Sequence, residues 1–190
     1  MVSLSRASKA AAILVACGLG LGACSAHPGT AAIIGDTRIS EADVSLTSQQ
    51  LSGLLGQDVD ASQLLPTLNQ NLAIGKLAEK NGITVSDQEI TDSLAEMGQE
   101  VVQRGGKSTP ITNPSSLLKT IIKNSIAQQK LRSSGMSQQQ LAQANAELAN
   151  TIQTTKVEIN PRYGTLDAQS GSLTQGVFGD VIRANSGAQK

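Results

Sequence analysis

The stretch from Ser86 to Val101, SDQEITDSLAEMGQEV, decides the fold class. Ser86 and Glu89 stand at the spacing of a capping box, in which each side chain satisfies the other residue's free backbone N–H at a helix start. Behind that start, Ile90, Leu94, Met97 and Val101 fall at i, i+4, i+7 and i+11. That spacing puts all four on one stripe of a helix, whereas a strand would scatter them over both faces. Glu89, Asp92, Glu96 and Glu100 form an acidic stripe one position away. A capped amphipathic helix must bury its stripe, so the stretch predicts a helical bundle.

The same signals recur on both sides. Upstream, Asn81-Gly82 stops a helix running from about Ala61 to Lys80, with a break or start expected near Pro66. Leu65, Leu68 and Leu72 repeat within it at helical spacing. Before it, Ser40 sits three residues ahead of Asp43 and opens a helix over about Glu41 to Leu55. Downstream, Arg104 to Thr112 reads as a loop with Gly105-Gly106 and Pro110. Asn113 as cap and Pro114 as first helical residue predict a fourth helix, whose buried stripe is Leu118, Ile121, Ile122 and Ile126. Ser137 with Gln140 opens a fifth, where Leu141, Leu148 and Ile152 share a face and four alanines permit close packing.

The ends of this helical body read as strands. Ala31 to Ile34 is apolar, Gly35-Asp36 suits a tight turn, and Thr37-Arg38-Ile39 returns. Lys156-Val157-Glu158-Ile159 alternates as a strand with one buried face. Each end needs a partner, because an unpaired apolar edge invites aggregation. The two ends are therefore predicted to pair, giving a mainly α fold: about five helices with a small sheet formed by the N- and C-terminal segments. Beyond Ala168, Gly, Ser, Gln and Ala dominate, and residues 168–190 are expected to be a flexible tail.

Composition excludes several chemistries. The 190 residues hold one His, one Tyr, one Phe and no Trp. Two aromatics cannot build the stacking platforms of single-strand binders, and balanced charge, 15 basic against 15 acidic, does not point to nucleic acid. One His cannot supply a multi-His metal site, and it lies in a linker at His27. No Gly-x-Ser-x-Gly elbow is present, and Gly105-Gly106-Lys107-Ser108 lacks the upstream Gly of a phosphate loop. No catalytic residue, metal or cofactor is expected.

The first residues read as an address. Arg6 and Lys9 precede an uncharged run from Ala10 to Ala23. That run is shorter than the ~20 residues needed to cross a bilayer, as suits a signal-peptide core. Leu21-Gly22-Ala23-Cys24 resembles a bacterial lipobox, which implies cleavage before Cys24 and lipidation of its thiol. A plain secretory signal or an uncleaved anchor are the alternatives. Leu14-Val15-Ala16-Cys17 fits more loosely, and only seven residues, Ala10 to Ala16, separate its Cys17 from Lys9. The predicted organisation is a signal peptide at 1–23, a lipidated linker at 24–30 and a helical domain at 31–167. Two of the 15 basic residues, Arg6 and Lys9, leave with the signal, so 13 remain against 15 acidic. Cys17 leaves as well, so with Cys24 lipidated no disulfide staples the fold. The location implied is the outer face of the cytoplasmic membrane, in the cell envelope.

Three segments together resemble the SurA/PrsA-type chaperone family: AAIIGDTRISEAD at Ala31 to Asp43, GITVSDQEI at Gly82 to Ile90, and VEINPRYGTLD at Val157 to Asp167. The last is similar to a C-terminal strand of actinobacterial lipoprotein members. The resemblance implies a helical, ATP-independent chaperone module that cradles unfolded or extended polypeptide outside the cytoplasm, with its last segment packed on its first. Many members carry a parvulin isomerase domain, for which this chain has no room between the fifth helix and the last strand. The nearest likeness is thus the SurA N-terminal domain alone, without catalysis. A non-catalytic adaptor in an envelope complex is the alternative, and a prolyl isomerase a more distant one. Met97, Val101, Leu118, Ile122 and Met136 are the candidate peptide contacts, with core filling the competing reading for Met97. Pro161 and Tyr163 are expected to be structural, Tyr163 with its hydroxyl hydrogen-bonded. The acidic stripe of the third helix is read as a solvated face, as a dock for a basic partner, or as facing Lys119, Lys123 and Lys130 of the fourth.

Overall fold

Helix starts in this chain are written in short polar side chains, and the computed structural model, which describes residues 28–166 and 173–174, places them where that chemistry dictates. The first strand, β1 (Thr30–Ile34), turns through Gly35-Asp36 into β2 (Thr37–Ser40). Gly35 takes the left-handed φ of +56° that the two-residue turn requires. Ser40 then caps α1 (Glu41–Leu55), accepting from the Asp43 N–H at 3.0 Å and donating to the Asp43 carboxylate at 2.8 Å. Asp60 caps α2 (Ala61–Lys80), Ser86 caps α3 (Asp87–Gln103) and Ser137 caps α5 (Gln138–Thr154), each with a reciprocal capping box.

Two helix boundaries correct the sequence reading. Pro66 does not break α2: the helix runs through it, held by the Asp60–Gln63 box on one side and by burial of Leu64, Leu65 and Leu68 around it. The fourth helix, α4 (Ser116–Ser133), starts after Ser115 instead of Asn113. The Ser115 hydroxyl accepts from the Leu118 N–H at 3.1 Å and meets the Thr47 hydroxyl at 2.7 Å, with both side chains buried. That tertiary contact outweighs the local Asn-Pro signal.

After α5 the chain forms β3 (Val157–Ile159), a 3₁₀ turn over Pro161–Tyr163, and β4 (Thr165–Leu166). As predicted, the ends pair: β1 is the central strand, antiparallel to β2 on one side and β3 on the other. Ala32 opposes Ile39 and Ile159, and Ile34 opposes Thr37 and Val157. Of the stretch read as a flexible tail, Leu173–Thr174 are described and the rest lies outside the described residues. Leu173 and Thr174 form β5 against β4, and the half-buried Leu173 packs on the core. One Leu in Gly- and Ser-rich surroundings is enough to seat a two-residue ladder.

The core is aliphatic. Ala31, Ile34, Val44, Leu54, Leu65, Leu68 and Leu118 are almost wholly buried, joining the sheet to α1, α2 and α4. Ile90 and Leu94 add α3. The α2–α4 contact is close because Gly75 faces Asn124: a Cβ on Gly75 would stand 2.6 Å from the Asn124 Oδ1. Asn124, 5% exposed, donates to the Asn71 carbonyl at 3.0 Å and to its side-chain oxygen at 2.9 Å. In contrast, α5 buries no residue fully, and Leu141, Leu148 and Ile152 are half-buried. Contacts from α2 hold it, namely Lys80 with Glu147 at 2.6 Å and the Asn69 amide on the Ile152 carbonyl at 3.1 Å. Among the described residues, no helix is long and apolar enough to cross a membrane, and Cys24 and His27 lie outside them.

Candidate functional site

The second row of α3 opens a groove. Ile90, Leu94, Met97 and Val101 turn toward the interior, as their spacing predicts, with Ile90 and Leu94 buried. One residue further round, Thr91, Ala95, Gly98 and Val102 repeat the same spacing and do not reach the core. They form one wall of a groove of about 550 Å³. The opposite wall is the loop after α3, through Ser108, Pro110 and Ile111, and Leu54 at the end of α1 lies between them. Val102 is 57% exposed, an unusual position for a large aliphatic side chain. Gln99 and Gln103 complete the α3 rim, and no ionisable residue lines the groove.

The loop leaves α3 through the Gly106 N–H on the Val101 carbonyl at 2.9 Å, and further along it is stitched to α1. The Thr109 N–H donates to the Gly53 carbonyl at 2.7 Å. The Gln50 amide donates to the Asn113 carbonyl at 2.8 Å and accepts from the Ser115 N–H at 2.9 Å. Gly56 closes α1 at φ +65°, with the Lys107 carbonyl against the place where a Cβ would stand. These contacts set how far the loop stands from α3. Ser108 carries a buried hydroxyl with no hydrogen-bond partner among the described residues, 2.9 Å from where a Cβ on Gly98 would be.

The sequence-predicted contacts are divided by this geometry. Leu118 is 0% exposed and Ile122 is buried beside it, so both fill the core and cannot touch a ligand in this fold. Met97 is half-buried against the core, which favours the filling role. Val101 is half-buried under the loop, its Cγ1 2.8 Å from where a Cβ on Gly106 would stand. Met136 is half-buried in the α4–α5 connection, away from the groove. Periodicity marks apolar residues but does not separate core from groove, so Val102, Ala95, Gly98 and Ile111 were missed. The signal that finds them is the second row at the same spacing, rich in small residues and ending in an apolar one.

Both residues expected to be structural lie in the 3₁₀ turn. Pro161 opens the 3₁₀ turn, with Asn160 capping it through the Arg162 N–H at 3.1 Å. Tyr163 anchors through its ring, which packs on the core and carries the Arg162 guanidinium 5.3 Å from its centroid. Its hydroxyl finds no hydrogen-bond partner among the described residues, and burial, the largest influence, raises its pKa. Arg162 also pairs with Glu41 at 2.7 Å, tying the 3₁₀ turn to the start of α1.

The charge stripes meet at one point only. Lys130 pairs with Glu89 at 2.5 Å and donates to the Thr84 carbonyl at 2.8 Å. This ion pair, with the Ser86 backbone N–H and hydroxyl, lowers the Glu89 pKa to about 2. Lys123 turns instead to Glu79 on α2, at 3.4 Å. Ser116 and Lys119 have a Ser-x-x-Lys spacing at the start of α4 that the sequence reading passed over. Both are exposed, and the Ser116 hydroxyl donates to the Asp43 carboxylate at 3.1 Å, so they form no nucleophile–base pair. Among the described residues no group of His, Cys, Asp or Glu is placed to hold a metal ion. No family model matches the chain, and no curated protein or solved structure matches it.

Proposed function

We propose that this chain is a lipid-anchored envelope protein that holds extended polypeptide segments without ATP and without catalysis, in the manner of the SurA N-terminal module it resembles. The supporting observation is the groove between α3 and the loop after it: it is open and apolar with β1 and β3 paired. Its volume lies within the ~300–1,000 Å³ range of small-ligand sites, enough for a few side chains of an extended segment. Burial there contributes ~25 cal/mol per Å² before ordering costs, which suits weak and reversible holding. Lipidation at Cys24 would keep the groove near polypeptides emerging from the membrane.

The test is suppression of aggregation of an unfolded envelope client by residues 25–190. Suppression at a few-fold molar excess supports the reading, and none at that excess contradicts it. Capture from membranes separates a chaperone, with many substoichiometric clients, from an adaptor with one stoichiometric partner.

A further inference from the structure

The edge of α3 beside the groove carries an uneven charge pattern. Around α3, the third row at the same spacing is Asp92, Glu96, Gln99 and Gln103. Gln99 and Gln103 border the groove directly. The same edge continues toward the start of α3 as Glu96 and then Asp92, one helical turn at a time. Both are exposed. The other two carboxylates of the stripe are already paired, Glu89 with Lys130 at 2.5 Å and Glu100 with Arg104 at 2.9 Å. Asp92 accepts only the neutral amide of Gln88, at 2.8 Å. Glu96 forms no ion pair among the described residues. The facing wall, Ser108, Pro110 and Ile111, is uncharged, and Lys107 lies on the loop beyond the C-terminus of α3.

An extended chain lying along this groove therefore meets apolar surface in the middle and two uncompensated carboxylates at the end near the start of α3. We propose that the groove selects polypeptide segments that join aliphatic side chains to a flanking Lys or Arg, seated against Asp92 and Glu96. This rests on the reading of the groove as a polypeptide site and adds the class of segment it takes. Strands advance ~3.3 Å per residue, so a cation three or four residues from the buried aliphatic group spans the distance between the Val102 and Glu96 turns of α3, six residues at ~1.5 Å each.

The experiment measures fluorescence anisotropy of three labelled peptides against the purified chain. The peptides share one aliphatic centre and carry flanking Arg, Gln or Glu. The expected result is that the Arg peptide binds about five- to tenfold tighter than the Glu peptide at low salt, with the gap closing as salt rises. The double variant Asp92→Asn, Glu96→Gln should erase the gap while retaining affinity for the Gln peptide. Asp36→Asn, in the hairpin turn far from α3, should leave the gap unchanged. Val102→Gln should weaken all three peptides. Equal affinity for the three peptides overturns the charge selection and leaves the holding function standing. No binding of any peptide overturns both. Binding that appears only after residues 175–190 are removed makes the chain's own tail the occupant and overturns the proposal.

Discussion

Replacing Gly75 by Ala sets two physical effects against each other, and the structure says which wins. In a helix interior Ala is favoured over Gly by about 1 kcal/mol. Yet the new Cβ would stand 2.6 Å from the Asn124 Oδ1 and 2.8 Å from both its Cγ and Nδ2. Asn124 cannot swing away freely: it is 5% exposed and holds Asn71 through hydrogen bonds of 3.0 and 2.9 Å. Overpacking a close contact costs about 1–3 kcal/mol. Leaving buried amide groups unpaired costs a further ~1–3 kcal/mol. The two costs together exceed the propensity gain, so Gly75→Ala should destabilise by about 1–5 kcal/mol net. Asn124→Ala alone should also destabilise, through the lost bonds to Asn71. Together, the two should be less harmful than their sum by about 1–3 kcal/mol, because the second change removes the atoms the first strikes. Urea unfolding followed by helical circular dichroism measures all four corners of this cycle; the chain has no Trp for fluorescence. Stabilisation by Gly75→Ala alone, or additivity of the two changes, would refute the reasoning.

Further outcomes follow from other contacts. Glu89 has its pKa lowered from 4.5 to about 2, chiefly by Lys130; its contribution to stability is complete above pH 4.5 and is lost as pH falls through about 2, so Glu89→Gln should flatten that part of a stability-against-pH curve. Gly56→Ala places a side chain at φ +65° and against the Lys107 carbonyl; it should cost at least ~1–2 kcal/mol in thermal unfolding and weaken peptide binding, since the loop wall must shift. Leu118→Ala, at a site 0% exposed, should cost about 2–5 kcal/mol in urea unfolding. Val102→Asp should instead leave unfolding within about 0.5 kcal/mol of the parent while abolishing peptide binding, because that side chain is 57% exposed.

The parts of this fold written in local chemistry could be read from the sequence. Capping pairs such as Ser86–Glu89 and Ser137–Gln140 act within one turn, so they announce their helices without tertiary help. The pairing of β1 with β3 followed from need, since two apolar strands at opposite ends each lacked a neighbour. The start of α4 was misplaced because Ser115 is chosen by Thr47 and Gln50, more than sixty residues away. The groove was hidden for a related reason. Its width depends on the loop wall held by Gln50, Gly53 and Gly56, and no pattern within α3 encodes that distance. Leu118 and Ile122 mislead in the opposite sense: their apolar spacing is real, but only packing shows that the stripe faces the core.

Where a polypeptide binds this chain is the most direct test of the proposed holding function. Amide chemical shifts of the isotope-labelled chain, followed during titration with an aliphatic peptide flanked by Arg, locate that surface. The predicted result is a saturable set of shifts along Thr91, Ala95, Val102, Ser108 and Ile111, with α5 unmoved. Shifts confined to α5 or to the β1–β3 sheet, or no saturable shifts at all, would contradict it.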